Sequence, residues 1–328
     1  MDKHFKIDFV ITWVDQNDSS WREKIGKYKD GISNSARFRD YGTLKYLLRS
    51  IDKFAPWVNK VYLVTDNQIP KWINLEFEKL KIVDHRDIIP EELLPTFNSN
   101  VIDLNLVNIK GLSEHFVYFN DDMYLNNPVT PNDFFDDYGK PMDTFGFNVI
   151  MPTEKFDHTF VNNIAIINKD FNKKEIIRKN FFKLFNIKNR IYNFTSALLA
   201  PFPRFTRFID PHVPISFRKS TIKKVNEKHE EILRYTKHRF RDIEDYSIWI
   251  YRYYELVEGN FSVRNSNFVR GIQLSDLEQK GINIIRGKVK IININDKDDI
   301  SMDNFEKLTN KLKLEFKRKF SQKSNFEK

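Results

Sequence analysis

An α/β protein built on a mainly parallel sheet is the fold class that the sequence predicts, and three observations predict it. In the first half, short β-rich runs alternate with helical patterns, as in βαβ units. Four of those runs end on acidic residues: Asp15, Asp66, Asp84 and the adjacent pair Asp121 and Asp122. The second half is aromatic, basic and interrupted by prolines, which predicts a helical, aromatic-rich second lobe.

The elements follow in order. FVITWV is β-rich and leads into Asp15. From Thr43 to Phe54, Leu44, Leu47, Leu48 and Ile51 fall on one helical face, and Pro56 stops the helix. KVYLVTD and KIVDH read as buried strands ending at Asp66 and Asp84. Residues 99–109 have a helical pattern, and the apolar strand HFVYFNDD ends on two carboxylates. Ligands of parallel sheets bind beyond the carboxyl ends of the strands, so acids there would gather along the functional edge. Taken singly, each acid is more commonly a cap or turn former. Further on, residues 175–190 predict a basic, aromatic helix, the prolines after it predict loops, and residues 241–258 return to a helical pattern. KVKIININ alternates like a short strand, and the last twenty residues read as a basic amphipathic helix or a frayed tail.

Composition narrows the function. Hydrophobic residues make up 41% and aromatics 15%, which suits a globular protein and excludes global disorder. There is no cysteine, so disulfides and thiolate metal sites are excluded. The apolar run near the N-terminus is too short for a secretory leader, and no stretch approaches the ~20 residues of a membrane span. A soluble, cytoplasmic protein is the expectation. The net charge of +9 suits an anionic partner: nucleic acid, a phosphorylated substrate or an anionic membrane surface. A lysine-rich amino-acid usage alone gives the same balance.

Two adjacent acids at a strand end suit Mg²⁺ beside a diphosphate, because that ion takes one or two carboxylates plus phosphate oxygens. Successive residues of a regular strand point to opposite faces, so the turn after Asn120 must re-aim the pair. Arg37, Arg39 and Arg49 offer phosphate contacts, or are simply solvated. Asn98 either caps a helix or binds a sugar hydroxyl or phosphate. His212 stands between two prolines, either as a general base or as a packed loop histidine. His238 reads as a surface or packed histidine. Arg241 has the planar fork that suits a phosphoryl group, while Glu244 and Asp245 stand at salt-bridge spacing from it.

Together these segments resemble the Stealth family, sugar-phosphate transferases of microbial capsule synthesis. That family includes the animal enzyme that adds N-acetylglucosamine-1-phosphate to lysosomal glycoproteins. IDFVITWVDQND resembles its first sequence block. RFRDYGTLKYLLRSIDKFAPWVNKVYLVTDNQIPKWIN, IVDHRDIIPEELLPTFNSN and GLSEHFVYFNDDMYL resemble its second. DPHVPISFRKS resembles the third, and FRDIEDYS the fourth.

The resemblance implies a Rossmann-like, glycosyltransferase-A-like core and a nucleotide-sugar donor, expected to be UDP-linked. The whole sugar-1-phosphate would move to a hydroxyl of an oligosaccharide or lipid-linked oligosaccharide, with Mg²⁺ or Mn²⁺ as cofactor. By matched position, Asp122 is the catalytic or metal-binding carboxylate with Asp121 beside it, His212 the base, and Arg241 the phosphoryl ligand. Asp245 either binds metal or orients Arg241. Asp15, Arg39, Arg49, Asp66 and Asn98 match donor-pocket or scaffold positions. Coverage from about residue 7 to 258 sets a catalytic domain over 1–258, with a sheet core to about 150 and a lobe over 151–258. Residues 259–328 are then an extension packed on the core, ending in a basic tail.

A conventional metal-dependent glycosyltransferase on the same fold is the rival reading. A nucleic-acid-binding protein is disfavoured, because clustered acids repel phosphate. Residues 173–209 mix apolar and basic side chains, so this lobe either rests on the inner leaflet of the membrane or forms a core helix with a basic outer face.

Overall fold

The computed structural model describes residues 4–28, 39–296 and 300–328; Arg37 lies outside them. Four parallel strands form the centre: β1 (Ile7–Thr12), β2 (Val61–Thr65), β3 (Leu80–Asp84) and β4 (His115–Asn120). Their order is β3-β2-β1-β4, and the strand Ile215–Arg218 adds an antiparallel edge beside β4. The sheet is therefore mixed. From β1 the chain builds outward to β2 and β3, then returns to place β4 on the other side. That reversal opens a crevice at the carboxyl ends of β1 and β4.

Alternation along the strands splits the core into two layers. Phe9, Ile11, Val117 and Phe119 face one side, while Val10, Phe116 and Tyr118 face the other. The helix α1 (Ser19–Gly26) follows β1 and is capped by Asp18, which accepts from the Trp21 amide. In α2 (Leu44–Phe54), Leu44, Leu47, Leu48 and Ile51 are all buried against the first layer. α3 (Ser99–Leu104) and the helix Trp249–Glu258 pack on the second.

Several elements are shorter than their patterns predict. The 99–109 pattern is α3 followed by a 3₁₀ turn at Leu106–Asn108. The 175–190 pattern is broken into Lys173–Lys179, Phe181–Leu184 and a turn at Ile187–Asn189. Asn180 interrupts it, because its side-chain amide donates to the Val257 carbonyl. Residues 241–248 form a loop and 3₁₀-like turn, and helix begins only at Trp249.

The C-terminal part is woven into the core. β5 (Met123–Leu125) pairs antiparallel with Ile291–Asn295, which pairs in parallel with Val269–Gln273. The basic tail is a helix, Met302–Lys319, whose Phe305, Leu312 and Phe316 join the cluster around α2. Arg49 closes this clasp: it binds both Glu327 oxygens at 2.7 and 2.8 Å and the Phe320 carbonyl at 2.7 Å.

Two predictions follow from this packing. Arg49→Ala should cost about 2 kcal/mol of stability, the scale for hydrogen bonds to a charged group, in urea unfolding; an unchanged midpoint would show the clasp to be dispensable. His85, buried just past β3, has its pKa held down to about 4, chiefly by burial. The unfolded chain binds that proton near 6.5, so stability from this site is lost as pH falls from about 6.5 towards about 4. Wild-type Tm should drop more steeply across that window than Tm of His85→Gln; parallel curves would refute the assignment.

Candidate active site

A cleft of about 880 Å³ opens at the carboxyl edge of the sheet. Thr12, Trp13 and Asn120–Asp122 form its floor; Phe156, His212, Arg241 and Trp249 stand on the second-lobe side. Asn295 and Asp296 close it from the C-terminal part.

The two acids sit where β4 leaves the parallel sheet and β5 enters the small C-terminal sheet. That break is the re-aiming turn the sequence requires. The Ile294 amide donates to the Asp122 carbonyl at 2.9 Å and fixes the turn. Asp122 Oδ2 lies 2.9 Å from His212 Nε2, while Oδ1 is buried without a hydrogen-bond partner. The Asp121 pKa is pushed well above the carboxylate range, by burial first and then by Asp122 and Asp40, which also lines the cleft. Burial opposes charge on His212, yet Asp122 and Asp121 outweigh it and raise its pKa.

A buried ionic network anchors the chain just before His212. Asp210, two residues earlier, accepts from Arg252 at 3.0 Å, Tyr253 at 2.7 Å and Arg207 at 2.9 Å. Arg252 also reaches both Asp143 oxygens and the Thr144 carbonyl. Removing one partner of such a network strands the others without water. The flanking Pro211 and Pro214 restrict the backbone between these anchors.

Arg241 donates to Ser99 Oγ at 2.9 Å and lies 4.7 Å from the centre of the Phe156 ring, and its buried Nε has no partner. Burial lowers its pKa, against the pull of Asp103. Asp103 is itself pushed up to about 7 by burial. The Tyr118 hydroxyl lies 2.9 Å from Asp103 and 2.5 Å from Asn120 Oδ1. The phenol proton goes to Asp103, and Asn120 completes the contact on the other side of the phenol oxygen.

Five of the sequence-predicted residues share this cleft: Arg39, Asp121, Asp122, His212 and Arg241. Arg39 is bound to Asp296 at 3.1 Å and to the Ile300 carbonyl. The others do not line the cleft, although Asp15 stands between Val14 and Gln16, which do. Arg49 is part of the clasp already described, so a donor-binding role there is corrected to a scaffold one. Asp66 binds Lys24 through both oxygens at 2.7 Å. Asp15 accepts from the Asn17 amide, and Asp84 caps a 3₁₀ turn. Asn98 and Asp245 are fully buried against each other, 2.7 Å apart. Asp245 also accepts from Asn100 and the Asp242 amide, so it fastens the 238–245 loop to α3 and does not line the cleft. Metal ligation by Asp245 is corrected accordingly: its buried carboxylate is taken up by Asn98, Asn100, the Asp242 N–H and His238, 3.3 Å away.

Sequence reasoning missed Asp40, Asp103, Asn295 and Asp296. Asp40 directly follows Arg39 in RFRD, and Asp103 is a lone acid within the largely apolar turn NVIDL, so both left a readable trace. Asn295 and Asp296 left none, because only strand pairing brings them to the site.

The first conserved region of Stealth proteins matches residues 5–33, and the second conserved region matches residues 37–143. An exopolysaccharide phosphotransferase, cps2G, of Lactiplantibacillus plantarum is 48% identical over 99% of this chain and 97% of its own. The capsular polysaccharide phosphotransferase WcwK of Streptococcus pneumoniae is 39% identical over 98% of each chain. The receptor polysaccharide phosphotransferase WefC of Streptococcus gordonii is 40% identical, over 89% of this chain and 90% of its own. With both conserved regions in place and near end-to-end identity at these levels, the chain belongs to the Stealth family.

Proposed function

We propose that this chain moves a sugar-1-phosphate from a UDP-linked nucleotide-sugar to a hydroxyl of a growing, lipid-linked surface polysaccharide, leaving nucleoside monophosphate. The names of the relatives support phosphotransfer to a polysaccharide. The observation that carries the reading is the Asp122–His212 pair at 2.9 Å in the cleft whose wall also holds Arg241. The strand reversal between β1 and β4 supports a glycosyltransferase-A-like core, with the nucleotide at that crevice. The reaction belongs on the cytoplasmic side, where nucleotide-sugars are made; among the described residues, no helix is long and apolar enough to cross a membrane.

The chemistry follows from the residues. The His212 Nε2–H donates to Asp122, which leaves Nδ1 to take the acceptor proton. The freed oxygen attacks the phosphorus that carries the sugar; the new P–O bond forms as the bond to the departing nucleoside monophosphate breaks. Arg241 stabilises charge on the phosphoryl oxygens. Two adjacent carboxylates beside phosphate oxygens suit Mg²⁺ or Mn²⁺, and Asp122 Oδ1 is buried and unpartnered beside Asp121 in the cleft. Asp121 and Asp122 would hold the ion, which when bound would neutralise the donor diphosphate.

Asp122→Asn and Arg241→Ala should each lower turnover about 100-fold or more, with Tm near wild type. Wild-type turnover in either variant would remove that residue from the mechanism. With a panel of nucleotide-sugars, chromatography of the spent donor should reveal nucleoside monophosphate; release of nucleoside diphosphate would identify glycosyl transfer instead. Chelation with EDTA should abolish turnover, and Mg²⁺ or Mn²⁺ should restore it; full activity in EDTA would exclude the ion.

A further inference from the structure

The second lobe exposes more apolar surface than a soluble face requires. Ile187, Ile191, Phe194, Leu198 and Phe202 stand at intervals of four, three, four and four, each between 53% and 90% exposed. Over the helix Tyr192–Leu199 that spacing is one face. The opposite side is the packed one: Ser196 is buried and its hydroxyl accepts from the Phe147 amide at 3.0 Å. Phe182 is 84% exposed and lies edge-on to the half-exposed Phe181.

The fold actively maintains this surface. Lys173 is buried, with its ammonium bound to the carbonyls of Leu199, Phe202 and Arg204 at 2.6, 3.0 and 3.1 Å. Those contacts tie down the turn that presents Phe202. Lys183 does the same for the neighbouring segment by binding the carbonyls of Gly259 and Phe261, both at 2.6 Å. A stripe that was merely unfilled would not need a desolvated lysine beneath it.

Charge identifies the occupant. In the segment that carries the stripe Lys174, Arg178, Lys179, Lys188, Arg190 and Arg204 are exposed and Glu175 is the one acid between residues 173 and 204; Asp136 and Asp137 border Lys188 from outside it. We propose that this face is a membrane-docking surface: its apolar stripe enters the headgroup region of a bilayer rich in anionic lipid, and the surrounding cations bind the phosphates. A second copy of this chain would press the same cations against each other, on a molecule of net charge +9. The lobe that carries the stripe also supplies Phe156, Phe160 and His212 to the cleft, so docking would hold the cleft beside the lipid surface. The apolar residues divide between two roles that the sequence left open: Ile176 and Leu184 are core, while Phe182 and Ile187 are not.

The test needs no enzymatic assay and is independent of the reaction proposed above. The purified full chain is sedimented with vesicles of phosphatidylcholine alone, or of phosphatidylcholine and phosphatidylglycerol in equal parts, at low salt. Wild type should bind the anionic vesicles and not the neutral ones. Phe182→Ser/Phe194→Ser/Leu198→Ser should weaken binding by on the order of tenfold or more, with an unchanged circular dichroism spectrum. Lys188→Gln/Arg190→Gly should weaken it similarly, Gly being suited to the φ of 54° and ψ of −122° at residue 190. Leu314→Ser, an exposed position on the final helix, should bind as wild type does. Wild type left in the supernatant overturns the proposal, as does a stripe variant that binds like wild type. Sedimentation equilibrium showing a wild-type dimer that the stripe variant abolishes, without vesicle binding, would assign the face to self-association and also overturn it.

Discussion

The chain changes sheets between Asn120 and Met123, and the site depends on that change. A strand continuing straight would send Asp121 and Asp122 to opposite faces. Here β4 ends in one sheet, β5 begins in another, and the two carboxylates occupy the junction. The backbone hydrogen bond from Ile294 fixes its geometry, and the His212 contact fixes the Asp122 side chain. Everything else in the cleft is arranged around acids that burial and mutual repulsion make costly to hold in place.

Those costs explain the dense ionic network behind His212. A loop histidine can face a carboxylate in many rotamers, and only some leave the second nitrogen usable. Asp210, Arg252, Asp143 and Tyr253 fix the backbone two residues before it. No side-chain nitrogen or oxygen of these four residues is buried without a partner, which is the condition under which buried charge specifies one arrangement rather than destabilising all of them. Asn98 and Asp245 serve the same end on the opposite wall, where they secure the loop that carries Arg241.

Local pattern carried much of this into the sequence. The helical spacing of Leu44, Leu47, Leu48 and Ile51 identified a buried face, because periodicity is a property of one short segment. The strand before Asp121 was legible for the same reason. The fate of each strand-end acid was not: Asp66 meets Lys24, forty-two residues earlier, and Asp245 meets Asn98. Whether a carboxylate serves a ligand or a neighbour depends on long-range packing, which spacing does not record. Arg49 is the plainest case, since its partner Glu327 lies almost at the far end of the chain.

The pairing of Ile291–Asn295 with β5 also has a temporal consequence. Synthesis delivers β4 and the two acids well before the strand that grips Asp122. During translation the acids must wait at an unfinished sheet edge, with Asn295 and Asp296 still to come. A contact of such large sequence separation forms late and slowly. The site is therefore incomplete until residues 291–296 have joined the sheet, however early β4 and its two acids are made.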